Sequence, residues 1–151
     1  MYMKLIEKIS SSIISAMKEK NVDELESLRA IKSALLLAQT QKGSDGNIKE
    51  SDEIKILQKL VKQRKESAEI YKNQNRLELA DIEVKQSKII ERFLPVQMNF
   101  EDLEKLIVEI INQTGAQGIK DMGKVMGIAS VKLSGKADGK TISNIVRSKL
   151  V

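Results

Sequence analysis

Seven basic side chains crowd into the last third of the chain: Lys120, Lys124, Lys132, Lys136, Lys140, Arg147 and Lys149. Between Gln117 and Val151 only Asp121 and Asp138 oppose them, a net charge of +5. Cations at this density suit a polyanion, because neutralised phosphates release counterions and that release supplies most sequence-independent affinity for RNA. Double-helical RNA in particular is held through shape, phosphates and 2′-hydroxyls, which this set of side chains can address. A solvated helical surface carries the same residue types, so charge alone leaves both readings open.

The chemistry missing from the 151 residues is as informative. There is no Cys and no His, which excludes disulfides, thiol nucleophiles and cysteine metal sites and removes the commonest general base. No Gly-x-x-x-x-Gly-Lys-Ser/Thr loop and no spaced carboxylate set occurs, so no cofactor and no metal is expected. Ser10, Ser11 and Ser12 form the only serine run, beside Ile13 and Ile14 and without glycines. They read as surface or packed serines rather than a nucleophile, and no catalytic residue is assigned. Tyr2 and Tyr71 are too isolated to make a stacking platform for single-stranded RNA.

The elements that position these residues are expected to be helices. Aromatics make up 3 % and Pro occurs once, a composition that favours an all-α protein over a sheet. Leu5, Ile6, Ile9, Ile13 and Met17 recur at three- and four-residue spacing, one stripe of a first helix from Tyr2 to about Lys18. Asn21 and Glu24 form a capping-box pair ahead of Leu25, Leu28, Ile31 and Leu35, and the second helix runs to about Gln41. Gly43 to Asn47 is a turn cluster. Ser51, with Asp52 and Glu53, is expected to cap a third helix carrying Ile54, Leu57, Val61, Ala68 and Tyr71. Asn75 and Glu78 repeat the capping spacing before Leu77, Ile82, Ile89 and Phe93. Pro95 marks the boundary of the fourth.

Beyond it, Asn99 with Asp102 opens a fifth helix, Met98 and Leu103 forming a hydrophobic staple and Leu106, Ile107, Ile110 and Ile111 an apolar face. Gly115 ends it, Gly135 ends the sixth, and Asp138 caps a seventh with Ile142, Ile145, Val146 and Leu150. Gly123 and Gly127 share one face of the sixth helix. Two glycines cost it about 1 kcal/mol each relative to Ala, so close packing against a neighbouring helix is expected there, or else direct backbone contact with a ligand. The organisation expected is a four-helix hairpin-like bundle over residues 1–95 and a small three-helix domain over 96–151.

A second basic cluster, Lys62, Gln63, Arg64 and Lys65, is followed by Glu66 and Glu69 and reads as local salt bridging. The whole-chain charge of +5 and pI near 9.3 are compatible with an anionic partner, without requiring one. No apolar run is long enough to span a bilayer and the N-terminus lacks the pattern of a signal peptide, so a cytoplasmic protein without membrane association is expected.

Lys120-Asp-Met-Gly-Lys-Val-Met-Gly with Gly135-Lys-Ala-Asp-Gly-Lys, Leu28-Arg-Ala-Ile-Lys, Val61-Lys-Gln-Arg-Lys and Phe93-Leu-Pro together resemble the YqeY-like family over essentially the full chain. The last third looks like the tail domain of the B subunit of glutamine-dependent aspartyl/glutamyl-tRNA amidotransferase. That resemblance implies a helical N-terminal domain, a tail-like domain, and tRNA or a tRNA-modifying amidotransferase as partner. It also implies the family label of carbon–nitrogen ligase activity with glutamine as amido donor. The glutaminase signature and ATP- and metal-binding domain of that larger enzyme have no counterpart here, so any such activity would need partner subunits. The resemblance leaves two function classes: a non-catalytic accessory protein for tRNA or the amidotransferase, and a module that docks a partner enzyme without binding RNA.

Overall fold

The computed structural model describes residues 4–41 and 46–151. Tyr2, and Gly43 to Asp45 of the expected turn, lie outside the described residues. All regular structure among the described residues is helical: α1 Leu5–Glu19, α2 Val22–Thr40, α3 Glu50–Asn73, α4 Leu77–Glu91, α5 Phe100–Thr114, a 3-10 turn Ile119–Asp121, α6 Met122–Lys132 and α7 Gly139–Leu150. The contacts divide them between two compact units, Met1–Leu94 and Pro95–Val151.

Local chemistry sets most of the helix ends. Asn21 Oδ1 accepts from the Glu24 N–H at 3.2 Å and Asn99 Oδ1 from the Asp102 N–H at 2.8 Å, each satisfying a donor that the first turn leaves orphaned. Glu24 does not complete a capping box, because its carboxylate is drawn to Arg92 at 2.8 Å. Two other expectations fail. The N-cap of α3 is Lys49 rather than Ser51; the helix starts earlier, where Glu50, Asp52 and Glu53 all sit at the positive end of its macrodipole. Asn75 caps nothing at the start of α4 and instead closes α3 with φ 60°. The Arg76 N–H returns to Tyr71 O at 2.8 Å and the Asn75 N–H to Lys72 O at 3.0 Å, the paired bonds of a left-handed C-terminal cap, a conformation Asn tolerates better than most residues. Lys20 ends α1 in the same way at φ 56°, a strain of about 1 kcal/mol that Gly would avoid.

In the first unit α2 packs against α1, α3 and α4, and the core joins Ile9 and Ala16 to Leu28, Ile31, Leu35, Leu57, Val61 and Ile90. Fully burying side chains such as Leu28, Ile31 and Leu35 contributes roughly 1.5–3 kcal/mol each. The apolar stripe of α1 is rotated from the expected one: Ala16 is buried whereas Met17 is 55 % exposed. On α4 the buried apolar residues are Ala80, Ile89 and Ile90, while Leu77 and Ile82 are exposed. Ala68 and Ala80 are the small buried side chains of α3 and α4, and small side chains at a helix seam leave the larger ones outside it.

The cluster at 62–65 also bonds differently from expectation. Its partners lie across on α4 rather than along α3: Lys65 Nζ meets Glu91 at 2.8 Å and Arg64 Nε donates to Gln86 Oε1 at 3.3 Å. Gln86 extends the series, donating to Glu26 Oε2 at 3.0 Å. Three helices are thereby tied by one part-buried series of polar groups, whose satisfied members specify a register that apolar contacts alone leave loose.

The second unit is a triangle of α5, α6 and α7, each touching the other two. Its core comprises Leu103, Ile107, Ile110, Val125, Ala129, Leu133, Ile142, Ile145, Val146 and Leu150, with Met98, Leu106 and Ile111 packed at the edge.

Candidate nucleic-acid interface

Every one of the seven basic side chains of the last third is exposed. The apolar stripe of α7 turns Lys140 and Arg147 outward: with Ile142, Ile145, Val146 and Leu150 buried, residues 140, 144 and 147 fall on the opposite face at four- and three-residue spacing. Lys149 stands apart from them, at the edge of α7 that faces α5, and pairs with Glu104 at 2.5 Å. Lys124, on α6, donates to Thr114 O at 3.4 Å at the end of α5, where a cation complements the helix terminus. Lys120, Lys132, Lys136, Lys140 and Arg147 form no ion pair among the described residues.

The turn between α6 and α7 holds three of these cations and is rigidly built. Asp138 Oδ1 accepts from the Thr141 N–H at 2.7 Å and starts α7. The Lys136 N–H returns to Leu133 O at 2.9 Å around Gly135, which is at φ 76°, a conformation that favours glycine. The Met98 N–H donates to Lys136 O at 3.0 Å, and Gln97 Nε2 donates to Gly135 O at 2.5 Å and to Pro95 O at 2.9 Å. The segment that enters α5 therefore clamps the turn that carries Lys132, Lys136 and Lys140. Sequence reasoning missed Gln97, since nothing local to it signals a partner thirty-eight residues away.

Gly123 and Gly127 correct the expectation of close helix packing. Both are exposed, and a Cβ built on either meets nothing within 4 Å; the packed face of α6 is that of Val125 and Ala129. With room for a side chain, replacing both by Ala should stabilise the protein by roughly 0.5–1 kcal/mol per site. Urea denaturation checks this, and a destabilised double variant would contradict the open geometry.

Among the described residues no group of three or more His, Cys, Asp or Glu is placed to hold a metal ion, and no helix is long and apolar enough to cross a membrane. Ser10 and Ser12 are half-buried and Ser11 exposed on α1.

An all-helical chain with a clamped basic turn in a three-helix second unit is thus the class that fold and site define. The chain belongs to the YqeY-like protein family, whose model matches residues 6–150. It is also similar to a glutamyl-tRNA(Gln) amidotransferase subunit of Thermococcus gammatolerans, 43 % identical over 54 residues, which are 33 % of this chain and 9 % of that protein. The corresponding subunit of Methanococcus maripaludis is 42 % identical over 57 residues, 35 % of this chain and 9 % of the relative. A Clavispora lusitaniae protein, altered inheritance of mitochondria protein 41, mitochondrial, is 35 % identical over 108 residues, 70 % of this chain and 62 % of its own length. The chain therefore spans a small part of the amidotransferase subunits and under two thirds of the mitochondrial relative.

Proposed function

We propose that this chain is a non-catalytic accessory protein whose second unit binds tRNA, acting beside a tRNA-dependent amidotransferase. The observation that carries the reading is the set of five exposed cations, Lys120, Lys132, Lys136, Lys140 and Arg147, without ion pairs among the described residues. Charges kept free of carboxylates are available to phosphates, whereas a merely solvated helix surface is commonly laced with pairs. The similarity to amidotransferase subunits over a stretch no longer than the second unit supports it further. The reading places the protein wherever tRNA is handled, the cytoplasm first. The test is capture of partners from cell lysate with and without ribonuclease: tRNA, with any amidotransferase held through it, should be recovered and lost after digestion.

A second reading, a module docking a partner enzyme without RNA, is favoured by one observation in the first unit. Ile14, Met17, Leu36 and Leu37 are exposed on α1 and α2, and exposed apolar side chains that gather into a patch mark docking surfaces. Capture of a protein that survives ribonuclease would favour it.

Any carbon–nitrogen ligase activity with glutamine as donor would belong to a complex with partner subunits. The purified chain should show no glutaminase, ATPase or amide-forming turnover, because it lacks His, Cys and a supported nucleophile–base pair. Turnover above a buffer blank in the presence of ATP and Mg²⁺ would overturn this.

A further inference from the structure

The segment that clamps the basic turn also carries an exposed aromatic ring. Phe100, the first residue of α5, is 60 % exposed and takes no part in the core of the unit. The backbone around it is fixed from both sides. Two residues earlier the Met98 N–H is bonded to Lys136 O at 3.0 Å, and Asn99 caps the helix through the Asp102 N–H at 2.8 Å. One turn later Glu104 holds Lys149. Phe100 thus stands on a rigid stretch with the Lys136 turn on one side and Lys149 of α7 on the other, and Val96, 90 % exposed, lies just before it.

A single exposed apolar side chain is ordinary. A planar ring fixed between lysines is different in kind, because it matches how proteins hold an unstacked nucleotide: the base lies on the ring and its phosphates on the cations. The basic face by itself recognises any phosphate-rich surface, so it supplies no preference for one part of an RNA over another. One ring can supply such a preference where a base is splayed from a loop.

We propose that Phe100 is a stacking site for an unpaired nucleobase, with Lys136 taking the adjoining phosphate, so that the second unit prefers RNA bearing a loop to a blunt duplex. This rests on the RNA-binding reading above and adds to it the class of RNA feature recognised. Most of the affinity still comes from duplex phosphates, in keeping with the scarcity of aromatics.

The experiment uses the full chain and two fluorescent RNAs of equal length, a hairpin with 2-aminopurine in its loop and a blunt duplex. The parent should bind the hairpin about tenfold more tightly than the duplex, within the range that one base–aromatic stack supplies, and should change the fluorescence of the loop base. Phe100→Ala should lose both the preference and the fluorescence change, with duplex binding and circular dichroism unaltered. Phe100→Trp should keep both, and Phe100→Leu, which keeps apolar bulk without a ring, should behave as Phe100→Ala. Retention of the preference by Phe100→Ala or Phe100→Leu overturns the stacking site. A parent that binds both RNAs equally sinks the stacking site alone, and a parent that binds neither sinks the RNA reading with it.

Discussion

Replacing Lys132, Lys136, Lys140 and Arg147 together with Glu is expected to abolish tRNA binding while leaving the protein folded. These are four of the five cations of the set without ion pairs among the described residues. Each exchange removes a phosphate contact, with its share of counterion release, and sets a repulsive carboxylate in its place. The loss at low salt should be on the order of a hundredfold or more, since each contact contributes close to one counterion to the binding equilibrium. All four side chains are exposed and none belongs to the core cluster, so the cost to stability should be small, about 0.5 kcal/mol or less per site. Circular dichroism and fluorescence anisotropy with tRNA check the two halves of the expectation. A variant that binds tRNA as tightly as the parent would make the basic surface solvated and nothing more, and would favour the partner-docking reading.

The second large effect concerns the core that carries this surface. Leu133 follows α6 and is fully buried in the cluster that joins α5, α6 and α7. Leu133→Ala deletes most of that side chain and leaves a cavity, a change that costs about 3 kcal/mol in comparable cores. A core as small as this one rarely supplies more than about 3–5 kcal/mol in all, so the variant should leave the second unit largely unfolded at physiological temperature. If the units fold independently, as we propose, the first keeps its own urea transition, and an excised fragment of residues 95–151 of the parent is helical. An unfolded circular-dichroism spectrum for that fragment, or a single shared transition displaced as a whole by Leu133→Ala, would contradict independence.

How much of this was legible beforehand depended on whether the deciding chemistry was local. The caps at Asn21 and Asn99 follow from a side-chain oxygen three residues ahead of an orphaned N–H, and the buried face of α7 follows from its spacing alone. The buried residues of α4 did not follow. Ala80 is buried and Leu77 exposed, an inversion of hydrophobic size that depends on which helix lies alongside rather than on periodicity. Asn75 matched the spacing of a cap but took the left-handed position at the end of the preceding helix, a choice made by the tight connection to α4. The seven cations could be named from sequence, yet which of them stay free could not. Lys149 and Lys124 are engaged by Glu104 and Thr114, partners supplied by α5 through tertiary packing. Gly123 and Gly127 called for an explanation in sequence, and close packing within the unit is not it.

The central claim is that free cations of the second unit are phosphate ligands, and the salt dependence of tRNA binding by the unmodified chain tests it most directly. With about five phosphate contacts, log Kd should rise linearly with log[salt] at a slope of roughly 3–5, so that affinity falls on the order of 10²–10³-fold between about 50 and 200 mM salt. A slope near zero, or no binding at the low-salt end of that range, would contradict the account.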